Sequence, residues 1–194
     1  RGLGDVYKRQ VGFIIYRRPS VNQLIQPPTL SSPEPKTKIA TVGILADIHS
    51  SWPQLEKAVE KLNQENIDLV LVLGDLTNLG TPEDLKTSKD ILTNLKIPYY
   101  VIPGNHDVWY SRKVSNPHNF EFLQVFPQPP TCFAFKDLNF VLFDNSEENK
   151  PVPQAEWQKV EECLIGNQSL FFFTHEPLFH PANDLVMGKY LPAL

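Results

Sequence analysis

Four short runs in this 194-residue chain end apolar stretches in side chains able to bind metal or move protons. They are "ADIHS" with Asp47 and His49, "GDLTN" with Asp75 and Asn78, "GNHD" with Asn105, His106 and Asp107, and "THEP" with His175. In "VIPGNHDVWY" a turn needs only Pro103, Gly104 and at most Asn105. His106 and Asp107 are surplus to it. A core strand gains nothing by ending in Asp or His, and a carboxylate taken out of water without a partner is costly. One such ending would mean little, since a lone histidine is more often a satisfied, half-buried side chain than a ligand. Five on one rim are a different matter: Asp47, Asp75 and Asn105 offer oxygens, His49 and His175 imidazoles. Mixed oxygen and nitrogen donors suit manganese, iron or zinc, whereas magnesium and calcium prefer all-oxygen shells. Asp47 and His49 are two apart, so on an ideal strand they share a face. Asp75, on the neighbouring strand, is placed to bridge two ions with its two carboxylate oxygens. Gly74 and Gly104 fit turns where the main chain must pass close to a site.

The elements that must position these groups alternate in type. "KIATVGILAD" is an apolar run too short for a helix and reads as a buried strand. "WPQLEKAVEKLNQEN" carries Leu55, Ala58, Val59 and Leu62 at helical spacing, with Pro53 in the first turn. "IDLVLVLGD" is a second strand. "TPEDLKTSKDILTNLK" opens with Thr81 as N-cap and Pro82 behind it, and "IPYYVIPGNHD" supplies a third strand. Strand, helix, strand, helix, strand predicts a parallel sheet with right-handed crossovers and helices on both faces. Ligands of such sheets bind beyond the carboxyl ends of the strands, where Asp47, Asp75 and Asn105 fall. Further on, "TCFAFKDLNFVLFDN" reads as two strands about a Lys136-Asp137 turn, with Asp144 closing the second and Asn145-Ser146 turning. "PQAEWQKVEECL" reads as a helix, and "SLFFFTHEP" as a last strand delivering His175. Trp109 and Tyr110 either wall a pocket or pack beneath the loop; His118 and His180 read as solvated loop residues.

In order and separation, the four runs resemble the calcineurin-like metallophosphoesterase superfamily, whose pattern is D-x-H, G-D-x-x-[DN], G-N-H-[DE], H-x-P and G-H-x-H. The resemblance covers about Ile39 to Pro177 and implies an α/β fold of layered αββα type: central mixed sheets flanked by helices, with the metal site at the strand C-terminal ends. It further implies two divalent ions (Mn, Fe or Zn), one held by Asp47, His49 and Asp75, the other by Asp75, Asn105 and His175. By the same resemblance His106 faces the substrate phosphate as acid or electrostatic stabiliser, Asp107 orients it, and Asn78 supports the site from a second layer. The implied reaction is hydrolysis of a phosphomonoester or phosphodiester by in-line attack of a metal-bridging hydroxide, with the ions roughly 3.5–4 Å apart. "GDLTNLG" departs from the protein phosphatase form of the pattern. The nuclease branch shares GNHD, and a non-catalytic binding scaffold is the remaining alternative.

The net charge of −4 gives no overall basic field for a nucleic acid, which leaves a small phosphate ester as the expected partner. Cys132 and Cys163 lie without any CxxC or Cys/His spacing and read as two half-buried thiols, neither a disulfide framework nor a zinc site. The only methionine is Met187, and residues 1–10 resemble a non-native leader. Residues 11–38, with five prolines from Pro19 on, read as a linker, or as the remnant of a membrane anchor if "VGFIIY" before Arg17 and Arg18 ends a lost helix. The metallophosphoesterase-like domain is then expected over 39–194, in a cytoplasmic protein that is membrane-anchored if that remnant is real. The G-H-x-H block is not found before Leu194, so the domain is expected to be incomplete at its C-terminus and the polypeptide to bind metal weakly.

Overall fold

The computed structural model describes residues 40–114, 117–147, 154–163 and 170–177. The leader, the 11–38 segment, His180 and the last residues of the chain lie outside them. Three parallel strands, β1 (Val42–Leu45), β2 (Leu69–Leu73) and β3 (Tyr99–Ile102), form one sheet in the order β1-β2-β3. Val42 is level with Leu69, and Val70 with Tyr99. Their crossovers are helices α1 (Trp52–Gln64) and α2 (Pro82–Leu92). Thr81 caps α2, its side-chain oxygen accepting the Asp84 N–H at 3.2 Å. This satisfies one of the donors that a helix start leaves free.

The period-2 alternation of the strands decides what lies on each face. Val70, Val72 and Val101 point to one side and pack with Leu55 and Val59 of α1 and Leu85 and Leu92 of α2. Leu69, Leu71 and Ile102 point to the other, where they meet Phe140 and Leu142. Those two belong to a second sheet of β4 (Cys132–Phe135), β5 (Leu138–Phe143) and β6 (Leu170–Thr174), in which β4 and β5 form an antiparallel hairpin and β6 runs parallel to β5. The outer side of β5, Val141 and Phe143, carries Val160 and Trp157 of a helix at Gln154–Cys163. The order is therefore helix, sheet, sheet, helix. The helices expected on both faces of the parallel sheet cover only one. β2 is apolar on both faces, which records burial without saying what does the burying.

Two short helices, α3 (Trp109–Val114) and α4 (Phe120–Val125), occupy the Pro- and Asn-rich excursion after β3. The helix at Gln154–Cys163 is therefore α5. Phe122 of α4 and Phe126 just beyond it sink into the helix-side core. The reading of the cysteines is corrected: Cys132, the first residue of β4, and Cys163, the last of α5, form a disulfide with their Cα atoms 5.9 Å apart. Spacing of 31 residues gave no sign of it; packing of α5 on the sheet brings the two within bonding range. No helix among the described residues is long and apolar enough to cross a membrane.

Candidate metal centre

β1, β2 and β3 end at Leu45, Leu73 and Ile102, and the acid, amide and imidazole side chains follow within a few residues. Main-chain bonds continue the ladder past the ends: Asp47 N–H to Gly74 O at 3.1 Å, His49 N–H to Asp75 O at 2.9 Å and Ser50 N–H to Leu76 O at 2.9 Å. Asp47, His49, Ser50 and Asp75 all hold left-handed φ values of 57°, 48°, 56° and 53°. Such a conformation costs a non-glycine residue about 1–3 kcal/mol. Lys136, in the β4–β5 turn, is the one other described non-glycine residue with positive φ. Strain is thus concentrated at the rim. It also corrects the strand-face reading of Asp47 and His49, which converge through a turn beyond the end of β1.

Two glycines let the turns cross. Gly74 has φ 86°, and a Cβ there would overlap the main chain of Gly104. A Cβ on Gly104 would in turn overlap the Asp75 carboxylate and amide.

Asp75, buried, is the centre of the cluster. Its Oδ1 accepts the His106 main-chain N–H at 2.9 Å, while its Oδ2 lies 3.5 Å from His49 Nε2 and 3.4 Å from His175 Nε2. The two oxygens thus have different duties, and both imidazoles meet the same one. His175 Nδ1 sits 2.8 Å from the Leu73 carbonyl, which can only accept, so Nδ1 donates. Nε2 is left for Asp75 and for Asn105 Oδ1 at 3.1 Å. Burial by itself would lower the pKa of His175, but the hydrogen bond and charge of Asp75, the Leu73 carbonyl and Asp47 outweigh it and raise it to about 9. Burial would likewise raise Asp75, yet the bond and charge of His175 with the N–H and ring of His106 hold it below the usual carboxylate value. The metal-free cluster therefore draws a proton onto Nε2, between a carboxylate and an amide oxygen. A divalent cation fits the same position chemically. Donor atoms of Asp47, Asp75 and His175 lie within 4.8 Å of one another, as do those of His49, Asp75 and His106.

His106 is held on two sides. Its Nδ1 donates to the main-chain carbonyl of Asn78 at 2.8 Å, and its ring stacks on Trp109 with centroids 5.9 Å apart. The His49 ring meets it edge-on at 4.8 Å. Asp107 does not orient it. That carboxylate is fully buried and accepts the N–H groups of Leu76 (3.2 Å), Thr77 (2.8 Å) and Gly104 (3.1 Å) and the Thr77 hydroxyl (3.0 Å). Burial pushes its pKa up against those donors, and the charge of Asp75 adds to the rise. The physical reason for the correction is that amides of two crossing turns, sealed from water, need an acceptor, and Asp107 supplies it. Asn78 supports the site through its backbone: the carbonyl serves His106 and the N–H donates to Ser50 Oγ at 3.0 Å.

Two supports carry no sequence signal. The Leu73 carbonyl is one, since any residue has one. The other is Arg112, whose Nη2 donates to Asn105 O at 2.8 Å and whose guanidinium lies 5.4 Å from the Trp109 ring centre. His118, read as a solvated loop residue, is instead partly buried, with Nδ1 3.5 Å from Glu147.

The sequence pattern of the calcineurin-like phosphoesterase family matches residues 40–191. A probable glycerophosphodiester phosphodiesterase, GpdQ, of Arcobacter nitrofigilis is 40% identical over 75 residues, covering 37% of this chain and 27% of that protein. A 3',5'-cyclic-nucleotide phosphodiesterase of Nostoc sp. is 45% identical over 57 residues, covering 29% and 21%. The chain thus spans about a quarter of the length of these curated relatives. The crystal structure of TT1561 of Thermus thermophilus superposes with a TM-score of 0.53 at 15% identity, over 78% of this chain and 75% of that one. This likeness is one of fold.

Proposed function

Because the chain belongs to the calcineurin-like phosphoesterase family, we propose that it hydrolyses a small phosphodiester with the help of two divalent ions at the Asp75 cluster. The observation that carries this reading is the approach of two imidazoles, on turns far apart in sequence, to one oxygen of a buried carboxylate. The choice of a diester rests on the relatives, both of which are named as phosphodiesterases.

Asp47, His49 and Asp75 would hold one ion, and Asp75, Asn105 and His175 the other. When bound, such ions lower the pKa of coordinated water and offset charge on the phosphoryl oxygens. The remaining work falls to the chain. His106 has Nδ1 committed to Asn78, which leaves Nε2 to donate to the departing alkoxide when the ring is protonated. Trp109 and the Asn78 carbonyl keep that ring from turning. Asp107 ties the turn carrying Asp75 to the turn carrying Asn105 and takes no part in proton transfer.

The test is hydrolysis of bis(p-nitrophenyl) phosphate and p-nitrophenyl phosphate, then of a glycerophosphodiester and a 3',5'-cyclic nucleotide, by chelated protein before and after adding Mn²⁺. Manganese-dependent release, faster from diesters, is expected. A folded protein that takes up no metal ion, or cleaves only the monoester, overturns the reading.

A further inference from the structure

His175 follows the last rung of its sheet, where Phe143 of β5 is level with Thr174 of β6. Beyond that rung two free strand ends would splay, yet one side chain continues the pairing. Asn145, only 4% exposed, donates from Nδ2 to Glu176 O at 2.8 Å and accepts the Glu176 N–H on Oδ1 at 3.1 Å. A carboxamide offers a donor and an acceptor side by side, as a strand backbone does, so this pair acts as one more rung. Thr174 Oγ also donates to Glu176 O, at 2.7 Å. His175 is therefore fixed from both neighbours, by the ladder at Thr174 and by the amide at Glu176.

Asn145 is itself anchored. Asp144 Oδ1 accepts both the N–H of Ser146 at 3.0 Å and its hydroxyl at 2.6 Å, and Asp144 Oδ2 accepts Asn119 Nδ2 at 3.2 Å. The segment "DNS", which reads as an ordinary turn, thus links the end of β5 to the main chain next to His175.

We propose that Asn145 is a positioning residue for the metal centre: its amide sets the main chain around His175 so that Nε2 points at Asp75 and Asn105. This rests on the reading of His175 as a ligand. Outer partners that orient a metal-binding histidine typically change affinity by about 10–100-fold when removed. Asn145→Asp keeps the size but sets a carboxylate oxygen against the Glu176 carbonyl; Asn145→Ala removes both bonds.

The experiment is titration of chelated protein with Mn²⁺ alone, followed by calorimetry, on the wild type, both variants, and Leu92→Ala. Leu92 is fully buried in the helix-side core, so its truncation lowers stability away from the site. In parallel, the ring signals of His175, His49 and His106 are followed by NMR in the metal-free proteins. Both Asn145 variants should weaken one of two Mn²⁺ sites about 10–100-fold and move the His175 ring signals while those of His49 stay; Leu92→Ala should do neither. Unchanged affinity and unchanged His175 signals in Asn145→Asp, or equal losses in Leu92→Ala, overturn the proposal. If the wild type binds no Mn²⁺ but the variants still shift the His175 signals, the metal reading falls and the positioning role stands.

Discussion

Two turns bring an imidazole to the same oxygen of Asp75, and they do it by different means. The turn after β1 holds His49 with main-chain bonds to the next turn and a run of left-handed residues, and the side chain remains 38% exposed. The turn after β6 holds His175, 10% exposed, with bonds from outside itself: the Leu73 carbonyl on one ring nitrogen and the Asn145 amide on the adjoining main chain. In the first case backbone conformation aims the imidazole and strain is the cost. In the second, burial and borrowed hydrogen bonds aim it, and the cost is desolvation, which the charge of Asp75 offsets.

Removing what both turns share should have the largest effect. Asp75→Asn is expected to abolish Mn²⁺ uptake at both positions and lower the diester rate by about 10³-fold or more, the equivalent of some 4 kcal/mol of charge stabilisation. Metal analysis after gel filtration checks it, and retention of one ion would show that the two turns work independently. His106, whose ring meets His49 edge-on, is expected to serve the leaving group rather than hold an ion. His106→Ala should slow turnover by about 10²–10⁴-fold with metal content unchanged, as equilibrium dialysis with a rate assay would reveal. Acidity acts mainly on the β6 turn. His175 has a folded pKa of about 9, above the ordinary 6.5, so a metal ion must displace a proton, and Mn²⁺ affinity should climb by up to about tenfold per pH unit until pH reaches that value. The sign reverses for the metal-free fold: the stability that the raised pKa contributes is complete below 6.5 and is lost as pH rises through about 9. Denaturant midpoints of chelated protein across that window would show the fall. The smallest effect is reserved for the β1 turn. Ser50→Gly relieves a left-handed residue (φ 56°) but loses the bond from the Asn78 N–H, so stability should move by no more than about 1 kcal/mol and Mn²⁺ affinity should hold.

What the sequence disclosed depended on whether a local signal existed. The apolar runs of β1, β2, β3 and β6, the Thr81–Pro82 helix start and the Lys136-Asp137 hairpin all announce themselves through length, period or turn chemistry. The four strand-end runs likewise mark Asp47, His49, Asp75, Asn105, His106 and His175, which the structure brings to one rim. Helices α3 and α4 are six residues each, too short for a period to emerge, and α4 is placed by burial of Phe122 instead. The layering of two sheets follows from the family resemblance, whereas the strand-helix alternation alone puts helices on both faces of the first sheet, because an apolar face records only that something covers it. The resemblance makes Asp107 the residue that orients His106, but adjacent side chains need not face one another, and its carboxylate turns inward to the amides. Asn145 is the converse, a polar residue in a turn-like run whose partner lies 31 residues away.

The Cys132–Cys163 bond gives that partnership a topological setting. It closes the chain into a ring containing the β4–β5 hairpin, the "DNS" turn with Asn145, and α5. In the denatured chain a closed ring of about 30 residues has fewer conformations than an open one, which by chain-entropy reckoning favours the fold by about 3.5 kcal/mol. With the bond intact, α5 cannot leave the sheet without carrying the start of β4 along. With it reduced, α5 is held to the sheet by packing such as that of Val160 and Trp157 on Val141 and Phe143. The segment that braces His175 therefore sits inside a covalent loop whose integrity depends on the thiol balance of its surroundings.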